Sequence, residues 1–375
     1  MKKIFILTGE PSGDKLAAEV IKELKKAKKD IEYLSVGGQH LGSIGIKSIY
    51  DQKDITYIAF TDILLNIFKI KKKINETVKK ILDFNPDILF SVDSPDFTLR
   101  VSKIIKSKKP DIKTIHFIAP KVWAWREGRV KKMKNYLDHI LLLFDFEKKY
   151  FDKEKLKNTF VGHPILDNTN HEKIEISELL KGKIISIFPG SRLSELKSHV
   201  PILIDFIKKM NNEKIKYNYI FHATENSKEH LSQTIKKNDL ENVDVISNEK
   251  LKIATIKKST FAIVKSGTVS LEVSKYGVPS IIIYKMNFLN FFIAKLFLKI
   301  KYANMINIIN DKEVIPELLQ KECNSDKIYK TVNYLLKKPE LLNEQLKQVK
   351  KTIDKLSSTT SSSNEASNVL LSYLS

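Results

Sequence analysis

Cysteine is nearly absent from this 375-residue chain: Cys323 stands alone, which excludes an internal disulfide and any zinc cluster built on thiolates. The histidines show no metal-ligand spacing either. No apolar run is long enough to span a bilayer. Nor does the start read as a cleavable leader. The first apolar stretch, Ile4-Phe-Ile-Leu7, passes directly into Thr8-Gly-Glu-Pro-Ser-Gly-Asp14 without a small-residue cleavage site, so the expected compartment is the cytoplasm. Arginine is the other scarcity. Arg100, Arg126, Arg129 and Arg192 are the only four among 65 basic residues. In a chain that uses Lys nearly everywhere, an Arg points to a position that needs a planar, bidentate fork.

What the chain does have is lysine, in steady alternation with apolar runs. The length suits two domains of roughly 150 to 200 residues, and the pattern describes an α/β protein. A formal charge of +21 raises nucleic acid as a partner. The lysines, however, are spread over helix surfaces such as Lys22 to Lys29 and Lys71 to Lys80, and no aromatic-interleaved basic platform accompanies them. An anionic membrane surface or a phosphorylated substrate accounts for the excess as well.

The chain is organised around Lys183-Ile-Ile-Ser-Ile-Phe-Pro-Gly-Ser-Arg-Leu-Ser-Glu-Leu196. Ile184 to Phe188 reads as a buried strand, Pro189-Gly190 break it, and Ser191 or Ser194 can cap the helix that follows. Such a turn aims backbone N–H groups and a helix dipole beyond the strand, and Arg192 adds its fork there, so an anion is the expected guest. A second turn of this kind, Lys265-Ser-Gly-Thr-Val-Ser-Leu-Glu272, offers Ser266, Gly267 and Thr268, with Glu272 one helical turn on to accept hydrogen bonds from a ribose. Two anion-friendly turns in one half-sheet suggest a nucleoside diphosphate.

The first half carries its own turns. Strand Lys3 to Leu7 runs into Gly9 to Asp14, where Glu10 and Asp14 suit sugar hydroxyls better than phosphate. Strand Ile88 to Val92 ends at Asp93, placed where a sheet of this type puts a catalytic base. Strand Lys113 to Ile118 leads into a loop holding Trp123, Trp125, Arg126 and Arg129, side chains that stack on sugars. Residues 55–73 and 287–300 are apolar, aromatic and basic, and suit either the core or a membrane surface. Glu317 to Gln320 reads as a short helix.

Seven motifs in this order resemble the lipid-A-disaccharide synthase family over almost the whole chain: Gly9-Glu-Pro-Ser-Gly-Asp14, Asp93-Ser-Pro-Asp-Phe97, Pro120-Lys-Val-Trp-Ala-Trp-Arg126, Val161-Gly-His-Pro164, Pro189-Gly-Ser-Arg192, Ser266-Gly-Thr268 with Glu272, and Glu317-Leu-Leu-Gln320. The resemblance implies a GT-B glycosyltransferase, two Rossmann-like domains with parallel sheets facing across a cleft. Residues 1–168 would form the acceptor domain, with a C-terminal helix in 350–375 packing back on it, and residues 169–349 the UDP-sugar domain. The implied reaction joins UDP-2,3-diacylglucosamine to 2,3-diacylglucosamine 1-phosphate (lipid X), releasing UDP with inversion. By the same resemblance Asp93 is the base and Arg192 offsets charge on the departing diphosphate. Glu10, Ser12, Gly13, Asp14, Trp123, Trp125, Arg126, Gly190, Ser191, Ser266, Gly267, Thr268, Glu272 and Asn307 would line the substrates.

No cofactor is implied, and without an Asp-any-Asp triplet a metal clamp has no obvious ligands. The implied partners are the two acylated sugars and the anionic cytoplasmic face of the inner membrane, with no nucleic acid and with a homodimer left open. Tyr57-Ile-Ala-Phe60, Lys121 and Ala303-Asn-Met-Ile306 depart from the family's wording and bear on the acyl pocket. Two rival readings are another UDP-sugar transferase or epimerase of this architecture and a basic nucleic-acid-binding protein. A soluble acceptor turned over as fast as an acylated one favours the former, and steeply salt-dependent RNA binding the latter.

Overall fold

The structure, a computed structural model, describes residues 1–51, 67–124, 128–167, 182–287, 291, 300–357 and 360–374. The chain divides into two compact units, Met1–Asp167 with Leu356–Ser375, and Asn168–Lys355.

Among the described residues the first unit holds one parallel sheet in the order β2-β1-β3-β4-β5-β6. Its strands are β1 (Lys2–Thr8), β2 (Ile31–Val36), β3 (Ile88–Val92), β4 (Lys113–Phe117), β5 (His139–Leu142) and β6 (Asn158–Phe160). The central strands are apolar on both faces because helices cover both sides of a parallel sheet. All five residues of β3 are buried, for example. Helix Pro11–Ala27 starts with Pro, whose missing N–H costs nothing in a first turn, and buries Ala17, Val20, Ile21 and Leu24 at helical spacing. Onto the same core folds the last helix, Ser362–Ser372, through Ala366 and Leu370. Asp167 secures this return by accepting the Ser362 N–H at 3.0 Å and its hydroxyl at 2.7 Å.

In the second unit the sheet order is β12-β11-β10-β7-β8-β9, again parallel. The strands are β7 (Ile184–Phe188), β8 (Asn218–His222), β9 (Val243–Ile246), β10 (Ser259–Lys265), β11 (Ser280–Tyr284) and β12 (Glu317–Leu319). The helix expected at Glu317 to Gln320 is therefore an edge strand, paired in parallel with β11. Pro316 biases the residue before it away from helix, and Gln320 at φ +52° ends the segment after three residues.

Both sheets bury the same device, a strand serine bonded to a histidine of the neighbouring strand. Ser91 Oγ lies 2.8 Å from His116 Nδ1, and Ser186 Oγ 2.9 Å from His222 Nε2. Burial drives the pKa of both imidazoles down to about 3, so they are neutral. No helix among the described residues is long and apolar enough to cross a membrane. Residues 52–66 and most of 288–299, which include much of both apolar segments of the sequence, lie outside the described residues.

Candidate active site

In an open parallel sheet ligands bind beyond the carboxyl ends of the strands, where the strand order reverses. In the first unit that point falls between β1 and β3. The two turns leaving these strands touch. A Cβ on Gly9 would lie 2.4 Å from Ser94 Cβ, and one on Gly13 would lie 3.1 Å from the Val92 carbonyl oxygen, so only glycine fits at Gly9 and hardly anything larger at Gly13. Asp93 and Ser94 both adopt left-handed backbone, φ +54° and +46°, which costs non-glycine residues about 1–3 kcal/mol each. The Thr98 hydroxyl donates to the Asp93 carbonyl at 2.7 Å and locks this bend. Burial raises the Asp93 pKa, against the opposing Ser94 N–H and the charge of Lys121. The result is a carboxylate made more basic than usual at the sheet's switch point.

Glu10 and Ser12 are exposed beside this bend. Asp14 differs from its expected role. Its carboxylate is buried and accepts the N–H groups of Gly38 at 2.7 Å and His40 at 2.8 Å, so it ties the first turn to the exit of β2 rather than presenting itself to a sugar.

Beyond β4, Trp123 is half-buried and donates its indole N–H to Glu147 at 3.0 Å while packing edge-on against Phe146. The other Glu147 oxygen accepts the Phe144 N–H at 3.2 Å. Burial pushes the Glu147 pKa up to about 7, with those hydrogen bonds and Lys121 opposing. Burial lowers the nearby His163 to about 4, and Lys121 adds to that shift. Lys121 thus acts electrostatically on Asp93, Glu147 and His163 together. Glu147 escaped the sequence reading because a single acid in an aromatic run looks like surface. Trp125 and Arg126 lie outside the described residues.

In the second unit the strand order reverses between β7 and β10. Gly190 has φ +118°, and a Cβ there would meet Glu195 Oε2 at 2.4 Å. Helix Leu193–Met210 is capped neither by Ser191 nor by Ser194. Arg192 occupies the N-cap position, and Glu195 reaches back to accept the N–H groups of Ser191 at 3.1 Å and Arg192 at 3.4 Å. The expected anion in this turn is the protein's own carboxylate. Burial alone would raise its pKa, but the Lys265 ammonium at 2.9 Å and the two N–H groups hold it below the usual range. The Arg192 guanidinium stands 3.8 Å from the same carboxylate and is 63% exposed, free to meet a ligand. His199 accepts the Lys285 N–H at Nε2, so Nδ1 carries the proton it donates to the Pro189 carbonyl at 2.6 Å.

The turn after β10 exposes Gly267 and Thr268. Ser266 donates its hydroxyl to the Ala303 carbonyl at 2.8 Å, and Glu272 is buried with one oxygen 2.9 Å from Lys252. Asn307 is fully buried and its amide is saturated. It donates to the Ile315 carbonyl and Glu317, and accepts from the Val314 and Ile315 N–H groups. With all four hydrogen-bond positions spent, its side chain has none left for a nucleotide, and it serves to fold the 311–317 loop.

A profile of the Lipid-A-disaccharide synthetase family matches residues 4–371. A lipid-A-disaccharide synthase from Rickettsia bellii is 35% identical over 95% of this chain and 94% of its own. The chain belongs to the lipid-A-disaccharide synthase family. Membership makes it a glycosyltransferase of lipid A synthesis. Solved structures agree on the architecture at low identity. A UDP-GlcNAc 2-epimerase from Neisseria meningitidis, bound to UDP-GlcNAc, gives a TM-score of 0.63 at 15% identity, covering 100% of this chain and 99% of that one. MurG from Acinetobacter baumannii gives 0.58 at 11%, covering 99% and 100%. The fold is GT-B, two Rossmann-like domains, and the turns that open at Asp93 and Pro189 lie beside the points where the two strand orders reverse.

Proposed function

We propose that this family member transfers the glucosaminyl unit of UDP-2,3-diacylglucosamine to the 6-hydroxyl of 2,3-diacylglucosamine 1-phosphate (lipid X), with inversion. Family membership carries the reading, and its proton transfer falls to Asp93, a carboxylate in left-handed backbone at the switch point of the first sheet whose pKa burial raises. Asp93 takes the acceptor's hydroxyl proton as that oxygen forms its bond to the anomeric carbon, and the bond from that carbon to UDP breaks with its electron pair leaving on the diphosphate. Arg192, exposed beside the second sheet's switch point, offsets the charge that develops there. The first unit serves the acceptor and the second the UDP-sugar, through the Arg192 side chain, the turn at 266–268 and Glu272.

The chain acts at the anionic face of the membrane. Helix Ile67–Phe84 supports this, since Ile70, Ile74, Val78 and Ile81 are buried while Lys69, Lys71, Lys72, Lys79 and Lys80 face solvent. Sedimentation with anionic but not neutral liposomes is the expected result, and equal recovery with both removes the membrane reading. The reaction is tested by UDP release from the two acylated monosaccharides, given singly and together. Release only with both supports the transfer. Release from the donor alone at the same rate, or no release with both, refutes it.

A further inference from the structure

Glu195 spends itself on the N–H groups of Ser191 and Arg192, so a diphosphate arriving at this turn does not find them free. What it finds is cationic side chains. One carboxylate holds two of them, Lys265 at 2.9 Å and Arg192 at 3.8 Å, which leaves the group with one net positive charge between the turns that leave β7 and β10. Lys265 is the last residue of β10 and its side chain is 19% exposed. Its ammonium also lies 5.2 Å from the centre of the Tyr284 ring. The position a Gly267 Cβ would take is 3.8 Å from that ammonium, so the missing side chain leaves Lys265 uncovered on the side of the 266–268 turn. An ammonium has three donors, and Glu195 uses one of them. The Tyr284 hydroxyl is held protonated, chiefly by burial and then by Glu195, so it adds no second negative charge.

We propose that Lys265 is a ligand of the donor's diphosphate, kept in place by Glu195. This deepens the donor-site reading above and rests on it. Neither the strand-turn-helix pattern nor the motif comparison singles Lys265 out, because in sequence it is one lysine among many at the end of a strand.

The test is calorimetric titration of the full chain with UDP and, separately, with uridine, which lacks the phosphates. Lys265→Gln keeps an N–H donor for Glu195 while losing the charge, and Lys265→Arg keeps the charge. The expected result is UDP affinity weakened about tenfold or more in Lys265→Gln, uridine affinity unchanged, and most of the UDP affinity restored in Lys265→Arg. UDP binding in the wild type also falls more steeply with salt than in Lys265→Gln. Equal losses for UDP and uridine make Lys265 structural and overturn the proposal, as does unchanged UDP affinity. A wild-type chain that binds UDP no better than uridine sinks the donor-site reading itself, an outcome distinct from the other two.

Discussion

The turn after β3 and the turn after β7 hold equivalent places, each at the carboxyl end of an inner strand beside its sheet's point of reversal, and each carries a carboxylate. The two acids are treated in opposite ways. Asp93 sits in left-handed backbone, and burial raises its pKa. Glu195 lies in a regular helix with Lys265, Arg192 and two N–H groups around it, and its pKa is lowered. An acid already surrounded by cations and donors has little to gain from a proton and serves as scaffold. An acid left basic, in a backbone conformation that the fold must compensate, suits proton transfer.

The largest effect expected from breaking this contrast is on turnover. Asp93→Asn keeps a residue that tolerates left-handed backbone and removes only the base, so steady-state UDP release falls about 10²–10⁴-fold while UDP affinity stays within about twofold. Near-normal turnover removes Asp93 from the mechanism. Arg192→Lys comes next, with kcat lower by about 10–100-fold, because a point charge does not reproduce the fork over a diphosphate. Its unfolding midpoint stays near that of the wild type, since the side chain is mostly exposed. A rate equal to wild type would make Arg192 structural.

Stability reverses the ranking of the two carboxylates. Glu195→Ala loses the cap and leaves Lys265 without its counter-charge, at a cost of about 2 kcal/mol in urea unfolding. Asp93→Asn loses no ion pair among the described residues and costs under about 1 kcal/mol. Equal losses would erase the distinction between scaffold and base.

Much of this was legible in the sequence. The buried strands announce themselves as short apolar runs, and the Gly9, Asp93, Pro189 and Ser266 turns follow them directly. The roles of particular side chains were less legible, because they depend on partners distant in sequence. Asp14 reads as a sugar ligand until Gly38 and His40 are seen to claim it. Asn307 reads as a nucleotide ligand until the 311–317 loop closes over it. Glu195 sits three residues after Arg192, the spacing of a capping acid, but Arg at the cap position hides the usual Ser/Thr signature. Three-residue edge strands such as β6 and β12 carry too little periodicity to be recognised at all.

The smallest contrast concerns acid. His116 in the first unit and His222 in the second have folded pKa values near 3, against an ordinary 6.5. The unfolded chain therefore binds protons that the native one refuses, and stability falls in both units as pH drops from about 6.5 toward 3. His222→Gln reduces that loss in urea titrations repeated across this range. An unchanged pH slope would mean that His222 does not contribute.

The most direct measurement is a carbon-13 NMR titration of the two carboxyl groups, assigned through Asp93→Asn and Glu195→Gln. The account predicts a midpoint for Asp93 above the 3.8 of a free aspartate and one for Glu195 below the 4.5 of a free glutamate. An Asp93 midpoint at or below 3.8, or a Glu195 midpoint above 4.5, would contradict it.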